Sequence, residues 1–132
     1  MADEPRWVSA EAVVALNREI VAASGKAHAV VNSPGLQAAV QRPWNTWVYF
    51  MDRDFAMLAA ALMAAVYSAR PFAAGNRLTA YRAAVAFLDA NGFQVDLGDN
   101  RRALEQVFAF FDGRLSQRAV VEWFRMWMEP RY

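Results

Sequence analysis

The chain has 132 residues, of which 57% are hydrophobic, 14% aromatic and 20% charged. This length fits one domain with a single hydrophobic core, and the composition excludes a disordered chain. The formal net charge of +1 provides no concentrated basic field, so we expect no nucleic-acid binding. The sequence contains no cysteine, which excludes disulfides, thiolate metal sites and a thiol nucleophile.

Targeting and membrane segments are not predicted. Asp3, Glu4 and Arg6 lie near the N-terminus with no apolar run behind them, unlike a signal peptide. The longest apolar stretch, from Phe55 to Tyr67, is about one core helix long and too short to span a bilayer. We therefore expect a soluble, cytoplasmic protein without a membrane partner.

The first two predicted helices are delimited by caps and prolines. Ser9 is the N-cap of the first, and Gly25 closes it because glycine readily adopts a positive φ. Ser33 and the proline after it predict the start of a short second helix. That helix should end before Pro43, and the aromatic segment from Pro43 to Phe50 has no clean periodicity, so we expect it to be irregular or extended.

A third helix, capped by Asp52 or Asp54, should run to about Ala69 and lie buried because its residues are apolar and small. A fourth should begin at the Gly75–Asn76 turn. The remaining signals predict its end at Asn91–Gly92, a very short strand at Phe93–Val95, and two last helices at about Asn100–Phe111 and Ser116–Met128. The sequence thus predicts an all-α, compact single-domain helical bundle with about six helices.

The ten residues 70–79, Arg-Pro-Phe-Ala-Ala-Gly-Asn-Arg-Leu-Thr, form what we call the motif loop. A loop with glycine and asparagine that enters a helix presents unpaired N–H groups at the positive end of the helix dipole. Gly75 allows an anion to approach the backbone closely, while Arg70, Arg77 and Arg82 add positive charge. These residues indicate a phosphate or carboxylate site; the alternative is an ordinary helix-capping turn with solvated arginines.

The motif loop also resembles the active-site motif of the Fic/Doc (death-on-curing) family, His-x-Phe-x-Asp/Glu-Gly/Ala-Asn-Lys/Gly-Arg-Thr. Four residues match it in register: Phe72, Gly75, Asn76 and Thr79. The segments 32–43 and 83–92 resemble two further family motifs in the same order. The resemblance spans about residues 7–128 and implies one Fic/Doc-like (fido) domain over residues 1–132.

Active members of this family bind a nucleoside triphosphate with magnesium and transfer a phosphoryl or nucleotidyl group to a hydroxyl of a target protein. The resemblance implies that the amides around Gly75 and Asn76 hold phosphate oxygens. It also implies that Phe72 anchors the loop in the core. Thr79 is the second anchor position, although helix packing alone would explain this residue.

Three positions depart from the family motif. Arg70 replaces the catalytic histidine and cannot act as a general base, because its pKa stays far above neutrality. Ala74 replaces the acidic metal ligand, which makes magnesium binding doubtful. Leu78 replaces the phosphate-binding arginine; Arg77 or Arg82 would have to supply that charge. We expect the Arg70 side chain to share a pocket with the Gly75 and Asn76 amides.

Other candidate residues have simpler explanations. His28 is the only histidine, and with no second histidine or cysteine it indicates a structural or exposed side chain more than a catalyst or metal ligand. The aromatic residues Trp44, Trp47 and Tyr49 predict a partner-binding patch, or rings that cover the core.

Three functions therefore remain open. The first is a degenerate Fic/Doc-like protein that binds an anion, a nucleotide such as ATP, or a protein partner without efficient transfer. The second is an active toxin with altered chemistry, restrained by a small antitoxin. The third is a scaffold or adaptor domain. The loss of three functional side chains favours the first over the second, and the retained Gly75–Asn76 turn favours it over the third.

Overall fold

The computed structural model describes residues 4–50 and 54–131. These residues form six helices and two short strands, which confirms the predicted all-α architecture. The elements in chain order are α1 (Ala10–Ala23), α2 (Ser33–Phe50), α3 (Phe55–Ala69), α4 (Asn76–Ala90), β1 (Phe93–Val95), α5 (Arg101–Phe108), α6 (Gln117–Trp127) and β2 (Met128–Pro130). Within the described ranges, no helix combines the length and apolarity that crossing a membrane requires.

Helix α3 lies at the centre of the bundle and packs against α2, α4 and α6. Its side chains are mostly small and apolar, so neighbouring helices approach it from several sides. Leu58, Met63 and Val66 are fully buried, as are Ala59 and Ala60. The motif loop follows directly from this helix and is therefore connected to the most buried part of the fold.

The predicted caps of α1 and α3 are confirmed. The Ser9 hydroxyl accepts a hydrogen bond from the Ala12 N–H at 3.1 Å, and Gly25 follows the C-cap with φ 72°. The Asp54 carboxylate accepts one from the Met57 N–H at 3.1 Å. These bonds satisfy N–H groups that the helix itself leaves free. The alternative cap, Asp52, lies outside the described residues.

The prediction for α2 was wrong at both ends. Asn32, not Ser33, is the cap, because its Oδ1 accepts a hydrogen bond from the Gly35 N–H at 3.0 Å. The helix does not stop before Pro43 but continues through it to Phe50. Proline removes one backbone hydrogen bond, but Trp47 packs edge-on against Trp7 at 6.1 Å between ring centroids and holds the following turn against the core. Tertiary packing here outweighs the local signal.

The C-terminal part of the chain follows its prediction with shorter helices. α5 ends at Phe108, and turns follow it where the sequence predicted helix to Phe111. α6 is capped by the Ser116 hydroxyl, and the Trp123 indole N–H donates to the Ala103 carbonyl at 2.9 Å, which ties α6 to α5. β1 and β2 form a two-stranded antiparallel sheet with Gln94 opposite Glu129.

Candidate functional site

The motif loop begins with an unusual backbone conformation at Arg70. Arg70 is the C-cap of α3, with φ 44° and ψ 58°, and it is the one non-glycine residue with positive φ in the described chain. Its N–H donates to the Tyr67 carbonyl at 3.1 Å. Left-handed backbone costs an ordinary residue about 1–2 kcal/mol. Because Arg70 is not a glycine, this cost must be offset by contacts of the surrounding loop that hold the conformation.

One side of the loop is bound to the segment before α2. The Val31 N–H donates to the Pro71 carbonyl at 2.7 Å, and the Ala73 N–H donates to the Ala29 carbonyl at 3.0 Å. Asn32 extends the contact by donating from Nδ2 to the Ala69 carbonyl at 2.9 Å. Phe72 lies in the core with 2% of its surface exposed. The loop is therefore a packed part of the fold, and its backbone is held in one shape.

The Asn76 side chain holds the same loop from its other end. Its Oδ1 accepts a hydrogen bond from the Phe72 N–H at 3.1 Å, and its Nδ2 donates to the Phe72 carbonyl at 2.8 Å. Both polar atoms of the amide are used within the loop. The second Nδ2 hydrogen and the backbone N–H of Asn76 have no acceptor among the described residues, so these two groups are the donors left for a ligand.

A buried polar cluster connects the loop to α1, and the sequence did not predict it. The Asn17 side chain is 0% exposed and donates from Nδ2 to the Ala74 carbonyl at 2.8 Å and to the Thr79 hydroxyl oxygen at 3.0 Å. Its Oδ1 lies 2.8 Å from Nδ1 of His28. One signal in the sequence points to it: Asn17 is a polar residue within the apolar stripe of α1, between Val13 and Val21.

Gly75 also lies close to α1. It has φ 78° and is the N-cap of α4. A Cβ built there would lie 3.2 Å from Asn17 Nδ2, 3.2 Å from Val21 Cγ1 and 3.3 Å from Ile20 Cγ2. Both the positive φ and the close approach favour glycine.

The start of α4 presents a run of free backbone N–H groups. The first helical bond here joins the Thr79 N–H to the Gly75 carbonyl at 3.0 Å. Each N–H from Ala74 to Leu78 lacks an acceptor among the described residues. No side chain caps this end of the helix. Such groups carry the positive end of the helix dipole and attract negative charge.

Two arginines of the loop are connected to the turn after α5. The Arg70 guanidinium lies over the Tyr67 ring, 5.1 Å from its centroid, and donates to the Tyr67 hydroxyl at 3.2 Å. That hydroxyl lies 3.4 Å from the Phe111 carbonyl. Arg77 donates to Oδ1 of the adjacent Asp112 at 2.8 Å. The contacts of the Arg70 side chain are with Tyr67. That Arg70 shares a pocket with the Gly75 and Asn76 amides stays a prediction.

The Asp112 carboxylate is bound on both oxygens. Oδ2 accepts a hydrogen bond from Arg114 at 3.1 Å, while Oδ1 accepts the one from Arg77. The hydrogen bond from Arg114, together with the nearby charge of Arg77, holds the pKa of Asp112 below its usual value. Arg77 is therefore paired with an internal carboxylate. Arg82, the other candidate for replacing lost charge, lies 3.7 Å from Glu19 of α1.

The part of the chain that forms this site also matches a known protein family. The model of the Fic/DOC family matches residues 7–88, which is more than half of the chain and includes α1, α2, α3 and the whole motif loop. The chain belongs to the Fic/DOC family. No curated protein matches the chain significantly.

The resemblance to the Fic/DOC motif implies that three positions lack their usual side chains. By that alignment, Arg70 stands at the histidine position, Ala74 at the position of the acidic metal ligand, and Leu78, 37% exposed, at the position of the phosphate-binding arginine. No cluster of three or more His, Asp or Glu residues suited to a metal occurs within 4–50 and 54–131. The loop therefore does not fit a magnesium ion, because Ala74 has no side-chain oxygen and both oxygens of Asp112 are paired.

The aromatic residues predicted to bind a partner differ in exposure. Trp47 packs against Trp7 and the core, so it is not a free contact residue. Trp44 is 38% exposed, and Tyr49 is 81% exposed and contacts Phe50 edge-on at 4.9 Å. Trp44 and Tyr49 thus lie on the surface of α2, while Trp47 lies against the core.

A groove of about 590 Å³ runs between α2 and α3. Alanines of both helices form much of its lining, together with Arg42, Asn45, Ser68 and Gln117. Arg42 is exposed and has no ion pair within the described part of the chain. Ala69 lines the groove and directly precedes Arg70, so one end of the groove lies beside the motif loop.

Proposed function

We propose that this Fic/DOC protein is a degenerate member that binds an anionic ligand at the motif loop without efficient phosphoryl or nucleotidyl transfer. The observation that carries the proposal is the run of free N–H groups from Ala74 to Leu78 at the start of α4. These groups suit phosphate oxygens. The ligand class is a phosphate, either inorganic or at the end of a nucleotide such as ATP.

The residues that remain do not support the usual transfer chemistry. A base must accept a proton from the target hydroxyl near ambient pH, and the Arg70 guanidinium cannot do so. Phosphoryl transfer also depends on neutralising charge with metal ions, for which Ala74 provides no ligand. Binding and turnover are thus separated at this site: the backbone donors remain, and the catalytic side chains are absent.

The proposal includes a protein partner, a small antitoxin or a former target, in a cytoplasmic setting. Its contact surface would be α2, which exposes Trp44 and Tyr49 and contributes Arg42 to the groove toward α3. Exposed aromatic and arginine side chains are favoured anchors in protein interfaces. Because the groove ends beside Arg70, a partner on α2 would also cover one side of the motif loop.

A thermal-shift experiment tests the anion site. Purified protein is melted with ATP, GTP, UTP or inorganic phosphate, each with and without Mg²⁺. A ligand at about 100 times its Kd adds about 2.7 kcal/mol, which raises the Tm by several degrees. We expect stabilisation that does not need Mg²⁺ and that weakens in Arg70→Ala. No shift with any of these ligands would reject the anion site and leave the scaffold function.

The active-toxin alternative has a separate test. Protein is incubated with cell lysate and α- or γ-labelled ATP, and labelled proteins are separated on a gel. We expect no labelled band. A Mg²⁺-dependent band that disappears in Asn76→Ala, with this variant shown to be folded, would instead establish transfer activity.

A further inference from the structure

The only histidine of the chain has a defined place beside the motif loop. His28 lies in the segment between α1 and α2, with Nδ1 2.8 Å from Asn17 Oδ1 and its ring centroid 5.9 Å from that of Phe72. The next residue, Ala29, accepts a hydrogen bond from the Ala73 N–H. His28 is thus packed against the same loop that Asn17 contacts.

The hydrogen bonds fix the proton on the imidazole. The Ala74 carbonyl can only accept, so the Asn17 atom 2.8 Å from it is the donating Nδ2. Asn17 Oδ1 can then only accept, and His28 must donate to it from Nδ1. This N–H is present in one neutral tautomer and in the cation, so the contact requires no particular charge on the ring.

The peptide bond between Ala74 and Gly75 connects the Asn17 amide to the proposed anion site. The peptide is trans and planar, so its C=O and its N–H point in opposite directions. Asn17 draws the Ala74 carbonyl toward α1, and the Gly75 N–H therefore points away from α1. The Gly75 N–H is one of the free donors of the motif loop.

We propose that Asn17 and His28 are positioning residues for the anion site. His28 orients the Asn17 amide, the amide fixes the Ala74–Gly75 peptide, and the peptide directs the Gly75 N–H toward the ligand. This inference rests on the proposed anion-binding function and identifies two residues that orient one of its donors. Neither side chain touches the ligand.

Three substitutions at two positions separate positioning from general stability. Asn17→Asp keeps the size and the acceptor for His28 but removes the donor to the Ala74 carbonyl and the Thr79 hydroxyl. It also introduces a carboxylate that repels anions, so the uncharged His28→Leu is needed beside it. His28→Asn keeps an N–H near the position of Nδ1, whereas His28→Leu removes it. Val120→Ala, a fully buried change in α6, serves as a control that lowers stability away from the loop.

Binding of inorganic phosphate and of ATP is measured by calorimetry under conditions where every variant is folded. Losing one oriented donor corresponds to about a tenfold loss of affinity. We expect this loss in Asn17→Asp and His28→Leu, near-normal affinity in His28→Asn, and no change in Val120→Ala. Unchanged affinity in folded Asn17→Asp and His28→Leu would overturn the inference.

The Gly75 amide provides a readout that needs no ligand. In ¹H–¹⁵N NMR spectra we expect its resonance to move in Asn17→Asp and His28→Leu, and His28 of the wild type to show the Nδ1–H proton. If the wild type binds neither phosphate nor ATP, the proposed function fails, and the Gly75 resonance still decides the positioning role. A Gly75 resonance that is unmoved in both variants would reject it.

Discussion

Asn76 forms two hydrogen bonds with the backbone of a single residue, Phe72. It accepts from the Phe72 N–H at 3.1 Å and donates to the Phe72 carbonyl at 2.8 Å. Phe72 is buried, and Asn76 is the first residue of α4, so this pair ties the loop to both the core and the helix. An asparagine fits this role because one amide supplies both a donor and an acceptor.

Asn76→Ala should destabilise the protein even without any ligand. The substitution leaves the Phe72 N–H and carbonyl without partners in a partly buried position, at a cost of about 1–3 kcal/mol. Urea unfolding followed by circular dichroism measures the change. Asn45→Ala, at an exposed position of α2, is the matched control and should change stability by less than about 0.5 kcal/mol. Equal effects of the two substitutions would argue that the hydrogen bonds between Asn76 and Phe72 do not stabilise the fold.

Gly75→Ala should be more damaging than the same change at Gly113. The two glycines have nearly equal φ, 78° and 75°. At Gly113 a Cβ would meet no atom within 4 Å, whereas at Gly75 it would crowd Asn17, Val21 and Ile20. We expect a cost of about 1 kcal/mol from the backbone at both sites, and about 1–3 kcal/mol more at Gly75 from crowding.

Denaturant unfolding of the two glycine variants provides the comparison. Because the backbone term is shared, the difference between them reports how closely the loop packs against α1. A Gly75→Ala variant as stable as Gly113→Ala would mean that the loop is held less tightly than its contacts indicate.

Asp112→Asn should strengthen anion binding. Asp112 now pairs with Arg77, and its removal frees a guanidinium of the motif loop while deleting a negative charge. We expect phosphate affinity to rise by about two- to fivefold, because an exposed charge pair of this kind interacts only weakly. The effect should be largest at low salt. Arg77→Ala is the control: in that background, Asp112→Asn should give a much smaller gain.

The same carboxylate predicts how acid affects stability. Arg114 and Arg77 lower the pKa of Asp112 in the fold, so its stabilising contribution is present above the ordinary carboxyl pKa and is lost as pH falls through the lowered value. We therefore expect the Tm difference between wild type and Asp112→Asn to shrink as the pH falls from neutrality to below the ordinary carboxyl value of 3.8. Thermal melts across this range measure it, and a constant difference would contradict the assigned pairing.

Tyr81 predicts the response to alkali. Burial raises the pKa of its hydroxyl to about 12 from 10.0, and its ring packs against Phe108 and Trp123. The unfolded chain ionises this group first, so stability should fall as pH rises from about 10 toward 12. Tyr81→Phe should flatten this decline in Tm. Tyr49→Phe, which alters an exposed ring, should leave the decline unchanged.

The sequence predicted the elements whose signals are local. Ser9 and Asp54 are caps because their side chains lie within three residues of the N–H groups they accept from. The turn at Gly75 has the same character, since a positive φ before a helix favours glycine. The family motif added the order of the central helices, which no local signal defines.

The parts that the sequence did not predict depend on distant contacts. α2 continues through Pro43 because Trp47 packs on Trp7, forty residues earlier in the chain. Asn17 meets Ala74 and Thr79 across separations of 57 and 62 residues, and periodicity alone does not distinguish a buried polar residue with partners from one without. The pairing of Arg77 with Asp112 likewise depends on the fold, which places the first turn of α4 beside the turn after α5.

Both ends of the described chain are attached near one end of α4. Asn91 exchanges hydrogen bonds with the backbone of Arg6 at 2.8 and 2.9 Å, and the Arg131 N–H donates to the Gly92 carbonyl at 3.1 Å. The motif loop lies at the opposite end of this 15-residue helix, about 22 Å away at 1.5 Å per residue. A fluorophore coupled near residue 6 or residue 131 would therefore leave the loop unobstructed while remaining within energy-transfer range of a labelled nucleotide bound there.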